Sequence, residues 1–423
     1  MSNSQNFNYM GYLDYINTSH NLISRCNENT NNKFDECFNN LSILTNIGEI
    51  LFVIIILIIF LRFITYKIKL NIVEVYLIFI YHTAFSFLFI FYTISRFRVD
   101  PISNYLWSLT NPTDYLPGKD FLEYIVHIFS YHLSLSYFSV SLIFGYFGLI
   151  GILLLYKMIK EINKNVYLYY LGLIFILLPS FHFWHSGIGK DSIILMVLSL
   201  VLYWMIFQKK LNLNILFSLI LIFMIRPHIA FLLMPFIFLI LFSSDKVNSN
   251  IKIIVSIIGV FIIYYLTPII LLYVGIYIES LIDIFSYEFI AKIIEVIEHR
   301  ETLNYSETAG YNLQSLNLIE KIFYFLFRPL PFDARSNFQL IISFENIGLI
   351  ILFITSIFLV LKSKQINLNI ISLTLLFYII LFLIVLSINT GNFGISSRQK
   401  WMILPYIFIL ILFLNNKKLG KKL

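Results

Sequence analysis

The residues best suited to chemistry fall in five short segments, each beside an apolar run. The densest is 179–192, PSFHFWHSGIGKDS, which sets His182, His185, Lys190 and Asp191 around Gly187 and Gly189. Arg226-Pro227-His228 interrupts an apolar stretch, and proline there removes a backbone donor and disfavours helical geometry in the residue before it. Segment 327–335, FRPLPFDAR, carries Arg328, Asp333 and Arg335, and segment 392–401, NFGISSRQKW, carries Arg398 and Lys400. Arg96, Arg98 and Asp100 close a further apolar run. Arginine presents a planar fork that grips phosphate oxygens in pairs. Histidine and aspartate beside it supply groups for proton transfer. The combination suits a phosphate-bearing substrate that also loses or gains a proton.

Each segment also has a plainer structural reading. Gly187 and Gly189 serve a turn, Trp184 serves an interfacial belt, and an arginine at a membrane boundary can snorkel to water. Charged groups at the end of a span are costly unless paired or solvated, which favours function for 179–192 and for Arg226. Anchoring and ligand binding are equally good readings of 327–335 and 392–401, and a solvated helix end is the simpler reading of Asp100. GIGKDS fails as a phosphate-binding P-loop because Asp191 follows Lys190 where Ser or Thr is required. The histidines show neither i, i+4 nor HExxH-type spacing with a carboxylate, so no metal or other cofactor is expected.

These segments need a membrane to position them. Of 423 residues, 59% are hydrophobic and 13% charged, against about 25% charged in soluble domains. So much apolar surface fits an all-α, polytopic integral membrane protein. Residues 1–41 are polar and Asn-rich, without the apolar core of a signal peptide. They hold both cysteines, Cys26 and Cys37, which form a disulfide or stay as free thiols according to compartment. Apolar runs occur near 42–64, 72–95, 135–156, 166–183, 192–208, 253–278, 338–361, 367–389 and 401–414. The stretch 212–243, broken at Arg226, adds two short helices. About eleven transmembrane helices are therefore expected in a single domain over 42–414, followed by a basic cytoplasmic tail at 415–423.

Lysine sets the orientation. With the N-terminus outside, the inner loops and C-terminal tail hold sixteen basic residues, fifteen of them lysine, against three acids, a net +13. The outer side is then net −6 and holds eight of the nine arginines. The overall charge of +7 thus reports membrane orientation, and no nucleic-acid partner is expected. Outer loops span about 96–134 and 279–337. In the first, Phe121, Tyr124, Ile125, Ile128 and Phe129 recur at helical spacing, and in the second so do Ile282, Phe285, Phe289, Ile293 and Ile297. Both read as interfacial helices.

With these outer arginines, two sizeable outer loops and ten to twelve spans, the chain resembles bacterial polytopic glycan-assembly enzymes. The nearest in architecture are Wzy-type O-antigen or capsular polysaccharide polymerases and, more distantly, GT-C-type membrane glycosyltransferases. Arg300 to Gly310, within RETLNYSETAG, loosely matches an Arg-then-Gly spacing in some Wzy-type proteins. Asp100 occupies a place like that of the acid at the outer end of an early span in GT-C enzymes, although after the second span. The resemblance implies a bacterial inner-membrane enzyme that transfers glycosyl groups from a polyprenyl-pyrophosphate-linked glycan at the periplasmic face, alongside other polysaccharide-assembly proteins. Arg226, Arg328, Arg398 and Lys190 would contact phosphate. Asp191, His185 or His228 would orient or deprotonate the acceptor, with Asp100 as an alternative base. Other readings are transfer of one sugar from a polyprenyl monophosphate, and transport of a lipid-linked glycan.

Overall fold

The computed structural model describes residues 46–96, 99–109, 115–162, 165–210, 212–274, 286–303, 310–363 and 366–416. The tail 1–41 with Cys26 and Cys37, Arg98, Ile282, Phe285, residues 304–309 and 417–423 lie outside them. Every regular element among the described residues is helical, as a bilayer demands, because an apolar run without water must satisfy its backbone internally.

In chain order the helices are α1 Ile47–Ile68, α2 Ile72–Arg96, α3 Asp100–Ser108, α4 Lys119–His127, α5 Tyr137–Ile162, α6 Val166–Ile176, α7 Pro179–Trp184 and α8 Lys190–Tyr203. They continue as α9 Leu213–Ile225, α10 Pro227–Phe242, α11 Ser249–Val274, α12 Tyr287–Leu303, α13 Leu318–Phe327, α14 Asn337–Lys362, α15 Ile370–Asn389, α16 Phe393–Gln399 and α17 Leu404–Leu414. Among the described residues, seven helical stretches are long and apolar enough to cross a membrane: α1, α2, α5, α8 extended to Gln208, α14, α15, and α16 continued into α17 as Phe393–Leu414. The chain is thus a membrane protein. Helices α6, α9 and α10 are apolar but shorter. On α1, Phe52, Ile55, Ile59 and Phe63 are each more than half exposed, the apolar face that lipid covers.

The chain forms two compact units, one of residues 1–147 with 185–192 and one of 148–184 with 193–423. In the first unit, α3 lies on α4. Tyr105, fully buried, sends its hydroxyl to the Leu135 carbonyl at 2.9 Å and meets Tyr137 edge-on at 5.5 Å. Glu49 Oε1 accepts from Ser136 N and Oγ at 2.8 and 2.9 Å, fixing the chain as it enters α5. In the second unit, α15 packs on α10, α12, α13 and α17, and α14 packs on α6 and α17. Phe175 stacks on Phe408 at 4.7 Å, and the Tyr406 hydroxyl donates to the Leu198 carbonyl at 2.9 Å.

Helices are present at the two expected places in the outer loops, α4 and α12, and α3 and α13 add two that were not expected. On α4 the buried positions are Leu122, Val126 and His127, with Ile128 just after it exposed. Phe121, Tyr124 and Ile125 are only partly buried, with Tyr124 meeting Tyr115 edge-on at 4.9 Å, so the stripe through them is the less buried side of the helix. This helix is apolar on more than one side, so periodicity alone does not choose between them.

Candidate functional site

The second unit holds a cavity of about 420 Å³ built around Arg328. Helix α13 begins on a capping box in which Asn317 and Glu320 each accept the other's backbone N–H, at 3.0 and 2.8 Å, and it ends at Arg328. The chain then turns through Pro329-Leu330-Pro331, and Asp333 comes back under the guanidinium. Arg328 Nε and Nη2 donate to the two Asp333 oxygens, each at 2.6 Å. Leu330 N donates to the same carboxylate at 2.8 Å. The guanidinium lies over the Tyr324 ring at 4.1 Å and the Phe332 ring at 5.2 Å. Tyr311, Asn312, Arg335 and Phe393 also line it. Tyr311 is held by its hydroxyl to the Thr390 carbonyl at 2.7 Å and by its N–H to the Gly391 carbonyl at 2.9 Å. Burial pushes its phenol above the ordinary value, with the Arg328 charge opposing, so it is a neutral group at physiological pH. Two of the five arginine donors are given to Asp333, and Arg335 is exposed at the same cavity. Two cations, one carboxylate and a rim of aromatic rings can bind an anion joined to a flat apolar or sugar-like body.

Beside this cavity lies a buried polar chain seated on Glu345 and Asn346 of α14. Asn346 Nδ2 donates to the Pro329 carbonyl at 2.9 Å, next to Arg328. Lys400 Nζ donates to Asn346 Oδ1. Ser180 donates to Glu345 through its backbone N at 2.9 Å and through its hydroxyl, and Trp401 Nε1 donates to Ser180 Oγ at 3.2 Å. Lys400, Trp401 and Asn346 are fully buried, and the Glu345 charge acts on Lys400. Three of the five sequence segments therefore meet here, through Ser180, Pro329 and Lys400-Trp401. Neither Asn346 nor the use of Lys400 was legible beforehand, because 392–401 reads as a loop ahead of the last span, whereas helix begins at Phe393.

The first unit contains the rest of the 179–192 segment. His185 is buried, and the His82 ring makes a backbone hydrogen bond with it. His82 Nε2 also lies 2.8 Å from the Gly145 carbonyl. A Cβ on Gly145 would sit 2.8 Å from the Ser186 carbonyl oxygen, so only glycine permits this approach. Ser186 Oγ donates to the Phe85 carbonyl at 3.2 Å, and Ser192 Oγ to the Gly187 carbonyl at 2.7 Å. His82 was missed by the sequence reading. Its signal is the buried set His82, Ser86 and Thr93, polar at helical spacing inside an apolar run.

Glu123 was missed too. It pairs with Lys119 at 3.1 Å, its side chain only 15% exposed. Burial pushes its carboxyl above the ordinary 4.5, with Lys119 and Lys190 opposing and Asp120 reinforcing. A carboxyl in such surroundings suits proton transfer. The signal was an acid between Leu122 and Val126 on the buried face of α4. Lys190 is partly buried at the start of α8, and Asp191 follows it, buried, in the first turn, where the helix dipole favours a negative charge.

The remaining expected residues are placed as follows. Arg226 is buried at the α9–α10 junction, where its carbonyl accepts from Ile229 and Ala230 N at 3.0 and 3.3 Å. His228 is partly buried on the first turn of α10, and Arg398 partly buried on α16. Asp100 is exposed at the first position of α3. His182 points back to the Ile176 carbonyl at 2.8 Å, a local structural bond. Of the four expected phosphate contacts only Arg328 lines the cavity described above. Lys190, Asp191, His185 and Asp100 belong to the first unit, and Arg226, His228 and Arg398 to the second. Among the described residues no group of three His, Cys, Asp or Glu side chains is arranged to hold a metal.

No protein-family model, curated protein or solved structure matches this chain. Fold and site together define an all-helical membrane protein with a cationic, aromatic-lined cavity.

Proposed function

We propose that the protein is a bacterial inner-membrane enzyme that polymerises lipid-linked oligosaccharide repeat units, by glycosyl transfer from a polyprenyl-pyrophosphate glycan at the periplasmic face. The observation that carries this reading is the Arg328–Asp333–Arg335 cavity rimmed by Tyr311, Tyr324, Phe332 and Phe393. Cations there would stabilise the charge that grows on the departing pyrophosphate, and flat rings would stack on sugar faces. In this reading the three shorter helices and α11 join the seven long spans, about eleven membrane elements in all, with the N-terminus outside and the C-terminus cytoplasmic. Arg226, Arg398 and Lys190 are further phosphate contacts. Asp191, His185, His228 or Asp100 handles the acceptor proton, and neighbouring polysaccharide-assembly proteins supply and remove the glycan.

One observation favours a second reading. Asp333 neutralises one of the cavity's two arginines, leaving a net charge of +1, which matches a monophosphate better than a pyrophosphate. A GT-C-type transferase that uses a polyprenyl-monophosphate sugar fits that balance. A deletion strain separates the two. Loss of the polymerase leaves single repeat units on the lipid carrier, whereas loss of a single-sugar transferase leaves long chains whose repeat lacks one residue. Surface glycan of normal length and composition would exclude both.

A further inference from the structure

A second cavity, of about 570 Å³, opens where α8 gives way to α9, and its chemistry is one-sided. It is lined by Phe207, Gln208, Lys210, Asn212, Asn214 and Lys246, none of them acidic. Several acceptors around it are consumed internally. Trp204 Nε1 donates to the Lys210 carbonyl at 2.7 Å, Ser244 Oγ to the Lys209 carbonyl at 2.7 Å, and Lys246 Nζ reaches the Phe207 carbonyl at 3.4 Å. Asn212 Nδ2 donates to Gln208 Oε1 at 2.6 Å, while Asn212 Oδ1 caps α9 by accepting from Ile215 N at 3.0 Å. What the lining offers is two ammonium groups and the side-chain amides of Gln208 and Asn214, with no carboxylate. Lys209, buried behind them, is held down at about 8 by burial and by the like charge of Lys246, with Asp245 opposing. The local potential is therefore positive, and a bound anion would relieve it.

The surroundings say which kind of anion. The cavity sits at the end of a span, and exposed Leu213, Phe217 and Ile220 run down one face of α9 directly from it. A free phosphate has no use for that apolar track, but an acyl chain does. Arg226 and His228 lie at the opposite end of α9, whose thirteen residues span about 20 Å at 1.5 Å each, so this cavity is separate from that junction.

We propose that the cavity binds the headgroup of an anionic phospholipid. Lys210 and Lys246 pair with the phosphate, the Gln208 and Asn214 amides donate to its remaining oxygens, and an acyl chain lies along Leu213, Phe217 and Ile220. The site is independent of the glycan reading and stands whether or not that reading holds.

The test uses the purified full chain in vesicles of equal phosphatidylglycerol and phosphatidylcholine, with retained lipid counted by native mass spectrometry after delipidation. Two lysines at a membrane surface predict roughly 30-fold enrichment of phosphatidylglycerol over phosphatidylcholine. Lys210→Gln with Lys246→Gln should bring the ratio near parity, and Lys362→Gln should leave it unchanged. Both target lysines are exposed, so packing is spared, and the wild-type ratio decides on its own if a variant fails to fold. Absence of enrichment in the wild type, or enrichment that survives the double substitution, overturns the proposal. So does displacement of phosphatidylglycerol by millimolar inorganic phosphate, which would make this a soluble-anion site.

Discussion

Arg328 and Asp333 are locked in a two-point ion pair, with Nε and Nη2 each 2.6 Å from a carboxylate oxygen. Side-chain exposures of 14% and 13% keep water from screening it. The pair holds the arginine fork over Tyr324 and Phe332 before any ligand arrives, so part of the ordering cost of binding is met in advance.

A double-mutant cycle measures that lock. Arg328→Ala leaves Asp333 partly buried without its partner and should cost about 2–3 kcal/mol of stability. Asp333→Ala should cost similarly, and the two together less than the sum, with a coupling of roughly 1–2 kcal/mol. Additive losses in thermal unfolding of the detergent-solubilised protein would show that the pair is not coupled. Arg328→Lys keeps the charge and loses the fork, and should lower glycan-assembly activity in cells by at least about tenfold, the loss of one charge-assisted bond.

Asn346 carries the Lys400 ammonium on one side and the Pro329 carbonyl on the other. Asn346→Leu strands a buried cation and should destabilise by about 3 kcal/mol or more. Lys400→Met removes the cation itself and should cost less, and adding it to Asn346→Leu should restore part of the loss. Melting temperatures that fall in the opposite order would remove Lys400 from the network.

The Glu123 carboxyl is pushed upward by burial, and the sign of its effect follows. A raised folded-state value favours the protonated form, so the contribution to stability is full below the ordinary 4.5 and is lost as pH rises through the shifted value. Glu123→Gln should therefore be more stable than the wild type at neutral pH, with the gap closing as pH falls toward 4.5. A gap that stays constant across that range would show that the carboxyl is solvated.

Gly145 admits the Ser186 carbonyl at a distance no side chain tolerates. Gly145→Ala should force the 185–189 turn away from α5 and destabilise by about 1–3 kcal/mol. Hydrogen exchange should rise in 182–190 before it rises in α14, and uniform exchange across both would contradict this.

Orientation is open to direct chemistry. A single cysteine at exposed Asn248, with Cys26 and Cys37 changed to Ser, should resist a membrane-impermeant maleimide in intact cells and react after permeabilisation. Reaction in intact cells would invert the charge-based topology.

Much of the helical layout was legible in the residues. The break at Arg226-Pro227 falls where expected, between α9 and α10, because proline's missing N–H imposes it locally. The runs at 72–95 and 338–361 became α2 and α14 within a residue or two, because continuous apolarity needs no tertiary information. The expected count of eleven spans depends on 212–243 and 166–183, where the helices are eleven to sixteen residues long, and hydropathy does not say how deep such a helix sits. The site was legible only in part. Arg328 stood out, but its partner Asp333 is reached through a turn, and the join of Ser180 to Glu345 and of Lys400 to Asn346 spans 165 and 54 residues. Pairings that distant leave no periodic trace in a single sequence.

The burial of Lys400 constrains how the chain enters the membrane. An isolated helix carrying a charged lysine near its middle pays about 2.5–3.5 kcal/mol to leave the translocation channel for lipid, and Lys400 is the eighth of 22 residues in Phe393–Leu414. Its acceptor, Asn346, is made some fifty residues earlier on α14. The last span therefore has a docking place waiting when it emerges, and its integration is an act of assembly onto α14 more than of partition into lipid.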